Sequence, residues 1–156
     1  MNTAWDLDYI SLELSVSTRA DLFRKIAADV MRDTGLDSAE ITAALHRTER
    51  GAPSMIEGGV FVPNAVLTGL NSVRRHLYRL DRPLLMADTP DGRAVDLIFV
   101  VMSPEEDGPL HLRRLSRVSR IMSNPVFAEK LRQLDDKDAI RSQFLYPEDL
   151  TARRAA

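Results

Sequence analysis

The sequence predicts an α/β fold, a mixed β-sheet flanked by helices on both faces, and three observations carry that expectation. Ile10, Leu12, Leu14 and Val16 alternate with Ser11, Glu13 and Ser15, the period of two of a strand with one buried and one wet face. Ala94, Val95, Leu97, Ile98, Phe99, Val100, Val101 and Met102 form a nearly continuous apolar run, as in a central strand buried on both faces. The segments around these runs place apolar residues three and four apart, and strands interleaved with helices imply a layered domain.

After the first strand, Ser17 or Thr18 is placed to cap a helix whose apolar positions are Leu22, Phe23, Ile26, Ala27 and Val30. Gly35 suits its left-handed C-cap. Asp37 or Ser38, with Glu40 close behind, opens a second helix through Ile41, Ala44 and Leu45. Residues 50–59 read as a loop rich in glycine and proline, followed by a short apolar strand, Val60, Phe61 and Val62, that Pro63 stops. Residues 76–80 and 84–86 are weaker strand candidates, and Asp91-Gly92 forms a hairpin turn into the long apolar run.

Three helices follow. Residues 110–122 carry Leu112, Leu115, Val118, Ile121 and Met122 on one side and Arg113, Arg114, Ser116 and Arg117 on the other. Asn124-Pro125 restarts the chain, since proline fits a helix's first turn, and Val126, Phe127, Leu131 and Leu134 follow. A third helix begins near Asp136 with Ile140 and Phe144. With no internal repeat, low-complexity segment or linker, the expectation is one domain over 1–156 with its core at about 10–144.

Composition narrows the function classes. The chain is 44% hydrophobic, 28% charged and 6% aromatic, with a formal net charge of -2. No nucleic-acid partner is therefore expected, because backbone binding needs a basic surface and single strands need stacking side chains. The absence of cysteine excludes disulfides and thiolate metal sites, and the three histidines have no compact ligand spacing. No metal and no cofactor is expected. Residues 1–8 lack a basic region followed by an apolar stretch, and no run reaches the ~20 apolar residues that a membrane span needs. The expectation is a cytoplasmic protein without membrane insertion.

His46 and His76 read as surface residues, the latter flanked by Arg74 and Arg75. Glu105, Glu106 and Asp107 read as a solvated loop, since adjacency alone is no acid–base geometry. The arginines at 113, 114, 117 and 120 read first as a polar face, and alternatively as a basic surface for an acidic protein or a phosphorylated partner.

Two strings, correctly separated, carry more. The first runs from Ala44-Leu45 through Thr48-Glu49 and Ala52-Pro53-Ser54-Met55-Ile56 to Gly59-Val60-Phe61-Val62-Pro63-Asn64. The second joins Asp91-Gly92-Arg93-Ala94-Val95-Asp96-Leu97-Ile98-Phe99-Val100-Val101 to His111-Leu112-Arg113-Arg114-Leu115-Ser116-Arg117. From about 10 to 144 the order of elements and these strings resemble the enzyme IIA domain of the bacterial phosphoenolpyruvate-dependent phosphotransferase system, in its fructose, mannitol and nitrogen-regulatory branch. The resemblance implies the mannitol/nitrogen-regulatory IIA fold. It also implies a phosphoacceptor histidine directly after Pro63 and a second histidine, His111, close to it.

At the acceptor position this chain has Asn64. An imidazole nitrogen is a good nucleophile near neutral pH, whereas a carboxamide nitrogen has its lone pair delocalised. A family arginine suited to phosphate oxygens falls at Thr48, and the family's Gly-Ser-Thr-Gly loop has become Ala52-Pro53-Ser54-Met55. Arg47 and Arg50 are near in sequence, but a one-residue shift rotates a helical side chain by about 100°. His111 is expected either to hold the acceptor group or phosphate oxygens, or to be a helix-start residue satisfied by the 105–107 loop.

These changes predict a IIA-like regulatory module that has lost phosphoacceptor activity and binds a protein through Thr48, Ser54, Pro63, Asn64 and His111. Its partner would be a phosphocarrier protein or a regulated kinase or transporter. The alternatives are an active carrier that uses His111 and a descendant that binds a small anion in the vacated pocket. Asn64, just past a strand, is expected to be part-exposed.

Overall fold

The apolar run lies at the centre of the sheet. The structure, a computed structural model, describes residues 5–51 and 54–145. Its strands are β1 (Tyr9–Leu14), β2 (Met55–Ile56), β3 (Val60–Phe61), β4 (Asn64–Leu67), β5 (Arg74–Leu84) and β6 (Val95–Pro104). The helices are α1 (Arg19–Thr34), α2 (Ser38–Gly51), α3 (Leu110–Met122), α4 (Pro125–Gln133) and α5 (Lys137–Gln143), with a single 3₁₀ turn at Glu105–Asp107. Strand order is β1-β5-β6-β3-β2, with β4 also on β6. β1 lies parallel to β5, β5 antiparallel to β6, and β3 and β4 parallel to β6.

Helices cover both faces of this mixed sheet, as expected. On one face Leu22, Phe23, Ile26, Ile41 and Leu45 of α1 and α2 pack with Phe61, Ile98 and Val100. On the other, Val118, Phe127, Leu131 and Ile140, with Phe144, pack with Leu97, Phe99 and Val101. Trp5 stacks on Phe144 and meets Phe99 edge-on, each at 6.1 Å between ring centres. The caps form where local chemistry placed them. Thr18 accepts from the Asp21 N–H, Gly35 is left-handed at φ 77°, Asn124 caps α4 ahead of Pro125, and Asp136 caps α5.

The short strand ends before Pro63, as expected, but pairing with β6 resumes directly after it. Val60 pairs with Leu97 and Asn64 with Val101, so β3 and β4 keep one register along β6 across the proline. The Pro63 carbonyl still accepts from the Val101 N–H at 3.2 Å. The two weak strand candidates at 76–80 and 84–86 are replaced by the single eleven-residue β5. Within it Arg79 reaches across the sheet edge, donating to the Leu12 carbonyl and to the carbonyls of Leu131, Arg132 and Leu134 at the end of α4.

The surface expectation for His76 is overturned, because β5 turns its ring toward α1 and the residue is fully buried. His46 is half-buried, with its ring against Phe23 at 4.8 Å. The Tyr78 hydroxyl donates to Asp29 Oδ2 at 2.7 Å, which leaves its oxygen to accept from His76 Nδ1–H at 3.1 Å. Lys25 and Arg32 each donate to Asp29 Oδ1 at 3.0 Å. Burial, with nearby Arg74, lowers the His76 pKa from 6.5 to about 4.

The unfolded chain therefore takes up a proton between pH 6.5 and 4 that the folded chain refuses. The His76 contribution to stability is intact above pH 6.5 and is lost as the pH falls toward 4, by about 3 kcal/mol at the limit. Urea unfolding across that window is expected to show the slope in wild type and to lose most of it in His76→Leu. An unchanged slope in the variant would assign the acid sensitivity elsewhere.

Candidate functional site

Asn64 sits at 6% exposure, which corrects the part-exposed expectation. The cause is the resumed strand: position 64 is a sheet residue beneath α3. Pro63 is also buried. The Val62 carbonyl accepts from Asn64 Nδ2 at 3.1 Å, and the second Nδ2 proton goes to Ser54 Oγ at 3.1 Å.

That pairing fixes the remaining hydrogen bonds. A carbonyl can only accept, so the amide nitrogen faces Val62 and Asn64 Oδ1 faces His111 Nε2 at 3.1 Å. His111 Nε2 must then donate. Its Nδ1, 2.7 Å from Ser103 Oγ, accepts the Ser103 proton, and Ser103 Oγ in turn accepts from Arg114 at 3.0 Å. The result is a one-way chain from Arg114 through Ser103, His111 and Asn64 to Val62 and Ser54. Burial first, and Arg114 second, lower the His111 pKa, in keeping with the neutral ring that this chain requires.

The 105–107 loop does not satisfy the His111 ring. It pairs elsewhere: Asp107 binds Arg114 at 2.7 Å and Glu105 accepts from the Thr68 hydroxyl at 2.7 Å. Arg114 thus leaves the solvated face assigned to it and turns inward toward Ser103. Leu112 moves the opposite way. Its spacing predicted a core residue, yet it is 68% exposed at the rim of the site.

Thr48 is half-buried and shares with Ser54, Asn64 and His111 the lining of a cleft of about 580 Å³. Arg47 also lines the cleft from an exposed position, whereas Arg50 is exposed and not among its lining residues. The replacement residues Ala52 and Pro53 lie outside the described residues. Around the polar floor stand Met55, Ile56, Val66, Leu112 and Leu115. No group of three or more potential metal ligands occurs among the described residues.

Sequence reasoning missed Ser103, Arg114 and the burial of Glu49. Glu49 Oε1 accepts from the Ser54 N–H at 3.2 Å and faces Arg19 at 3.9 Å. Its pKa is raised because burial outweighs those two interactions. A second clamp holds the β2–β3 hairpin from behind: Arg132 pairs with both oxygens of Asp96 and donates to the Gly58 carbonyl. Charged residues next to a motif, such as Glu49, were the available signal; Ser103, just past the apolar run, had none.

A cleft at a strand–proline–residue junction, faced by a histidine from a helix start on a mixed two-faced sheet, is the frame of a phosphotransferase IIA domain. The chain belongs to the family of the phosphoenolpyruvate-dependent sugar phosphotransferase system, EIIA 2, whose model matches residues 5–146, and its likenesses place it in the nitrogen-regulatory branch. It is 31% identical to the nitrogen regulatory protein of Bradyrhizobium diazoefficiens over 134 residues, 86% of this chain and 87% of that protein. The crystal structure of nitrogen regulatory protein IIA-Ntr from Neisseria meningitidis matches with TM-score 0.79 at 26% identity, over 85% of this chain and 90% of that one. The mannitol enzyme IIA of Escherichia coli, solved in complex with phosphorylated enzyme IIB, shares the fold with TM-score 0.68 at 12% identity, over 87% of this chain and 92% of that one. No helix among the described residues is long and apolar enough to cross a membrane.

Proposed function

We propose that this nitrogen-regulatory-type IIA protein accepts no phosphate and acts as a regulatory module that binds a protein partner over the Asn64 cleft. The observation that carries the reading is the closed hydrogen-bond chain. Asn64 offers no nucleophilic lone pair, and both ring nitrogens of His111 are committed, Nε2 as donor and Nδ1 as acceptor. The carrier alternative using His111 would have to break one of those buried bonds before reacting. For the small-anion alternative, the cleft supplies Arg47 at its edge, while Thr48 replaces the cation that the family places there.

The rim supports a protein rather than a metabolite. Val66 and Leu112 are exposed apolar side chains beside Ile56 and Leu115, and an apolar collar around a satisfied polar floor suits a docking surface. The partner classes are a phosphocarrier protein and a regulated kinase or transporter. By analogy, the fold relative from Escherichia coli is solved bound to an enzyme IIB.

The test is incubation with phosphoenolpyruvate and the general phosphotransferase proteins, followed by intact mass analysis. Wild-type protein is expected to keep its mass while a histidine-bearing IIA control gains a phosphoryl group. A phosphorylated peptide containing His111 would instead establish the carrier alternative.

A further inference from the structure

Behind His111, on the same face of the sheet, Arg75 takes no part in the cleft. Arg75 lies opposite Val101 on β6, two residues before Ser103, and strand alternation puts 75, 101 and 103 on the α3 face. Its backbone is fully used, donating to Asp8 Oδ2 at 2.8 Å and accepting from the Asp8 N–H at 2.8 Å. Its guanidinium is different. Among the described residues no carboxylate or carbonyl lies within hydrogen-bond or ion-pair reach of it, although the residue is half-buried.

The neighbours make that isolation costly. Arg114 and Arg117 bear on Arg75 from α3, and Asp8 and Asp6 oppose them from the start of β1; burial and Arg114 together lower the Arg75 pKa. Asp8 also faces Arg74 at 3.6 Å and is shared. Arg117 lies over the Trp5 ring at 5.4 Å, and Arg114 divides its donors between Asp107 and Ser103. A half-buried planar fork of five N–H donors, without an acceptor among the described residues and on the sheet face that Arg114 reaches at Ser103, offers the paired donors that recognise a tetrahedral oxyanion.

We propose that Arg75, Arg114 and Arg117 form a binding site for a phosphate-class oxyanion, distinct from the Asn64 cleft and linked to His111 through Arg114 and Ser103. The anion supplies the acceptors that Arg75 lacks. It also competes for Arg114, whose donor on Ser103 Oγ orients the hydroxyl that serves His111 Nδ1. Occupancy therefore reaches the cleft without any contact to Asn64. The inference is independent of whether Asn64 or His111 can be phosphorylated.

Trp5 is the sole tryptophan of the chain and lies under Arg117, so its fluorescence reports on the site. Inorganic phosphate is titrated against chloride at matched ionic strength, with the His111 ring protons followed by NMR in the same series. A saturable Trp5 response is expected with phosphate and not with chloride, and His111 is expected to shift with the same midpoint. Arg75→Gln should weaken the response at least about tenfold, since it removes the charged fork. It should also unfold no earlier than wild type, because the guanidinium has no acceptor among the described residues to lose. Arg75→Lys keeps charge without the fork and should fall between the two, and Arg47→Gln at the cleft edge should bind as wild type does. Equal responses to both salts would overturn the proposal. So would a response that survives Arg75→Gln, or one that disappears in Arg47→Gln.

Discussion

Asn64→His alone is expected to regain feeble phosphoacceptor activity, and a combined repair is expected to transfer phosphate at least about tenfold faster, or roughly 1.4 kcal/mol. The combined variant joins Asn64→His to Thr48→Arg and a Gly-Ser-Thr-Gly loop at 52–55. The structure sharpens why the single change falls short. A histidine at 64 would place Nδ1 where Asn64 Nδ2 now donates to the Val62 carbonyl, fixing the tautomer with the Nε2 lone pair turned toward His111. That lone pair is a nucleophile, but His111 Nε2–H, now bound to Asn64 Oδ1, is aimed at the same place.

Among the described residues, no inward-facing cation stands by to receive the phosphoryl oxygens, since Arg47 lines the cleft only from an exposed position. Thr48 lines the cleft without charge, and Arg114, which turns inward behind His111, is held by Asp107 and Ser103. Groups that stabilise such charge are often worth a few kcal/mol each and act as a unit. Position 64 is buried, so the exchange costs more than a surface change. The retained bond to Val62 keeps it to about 1 kcal/mol, within reach of a folded variant. Transfer rates from a phosphorylated carrier decide the matter: equal rates for the single and combined variants would show that Thr48 and the altered loop do not limit the site.

The largest loss of stability is expected at Gly59. Its φ is +77°, and a Cβ there would stand 2.8 Å from the Ala94 carbonyl oxygen, 3.2 Å from Asp96 Oδ1 and 3.3 Å from Arg132 Nη2. The Ala94 oxygen is backbone at the entrance to β6 and cannot swing aside. The Gly59 carbonyl also accepts from the N–H groups of Asp96 and Leu97, so movement to relieve the clash breaks the join between β3 and β6. Gly59→Ala is expected to cost about 3 kcal/mol or more, combining left-handed strain with the loss of the Arg132 clamp. Gly58 supplies the control, with φ +91° and nothing within 4 Å of its would-be Cβ. Gly58→Ala should lose only the conformational part, about 1 to 2 kcal/mol. Urea melts of the two variants showing equal losses would exclude the close approach as the cause.

What could be read in advance follows the range of the forces involved. Thr18, Gly35, Asn124 with Pro125, and Asp136 act on backbone groups within a few residues, so their caps stand in the sequence. The buried central strand was equally plain, because only a sheet covered on both faces tolerates such a run. The meeting of Asn64 with His111 came from the family resemblance; spacing alone would not join residues 47 apart. Leu112 failed because helical period tells which residues share a side and not whether another element covers it. His76 failed for the converse reason: its arginine neighbours suggested water, and α1 lies over it instead. Pro63 was read as an ending since its missing N–H is local, while the register that carries β3 into β4 is set by β6.

Arg79 joins elements that are far apart in sequence. It touches Leu12 in the first strand and the carbonyls that close α4. Opening either partner strips acceptors from a largely buried charge and raises the cost of leaving the other in place. In native-state hydrogen exchange, the β1–β5 edge and the end of α4 thereby become one cooperative unit, with amides near opposite ends of the chain exchanging at a common rate.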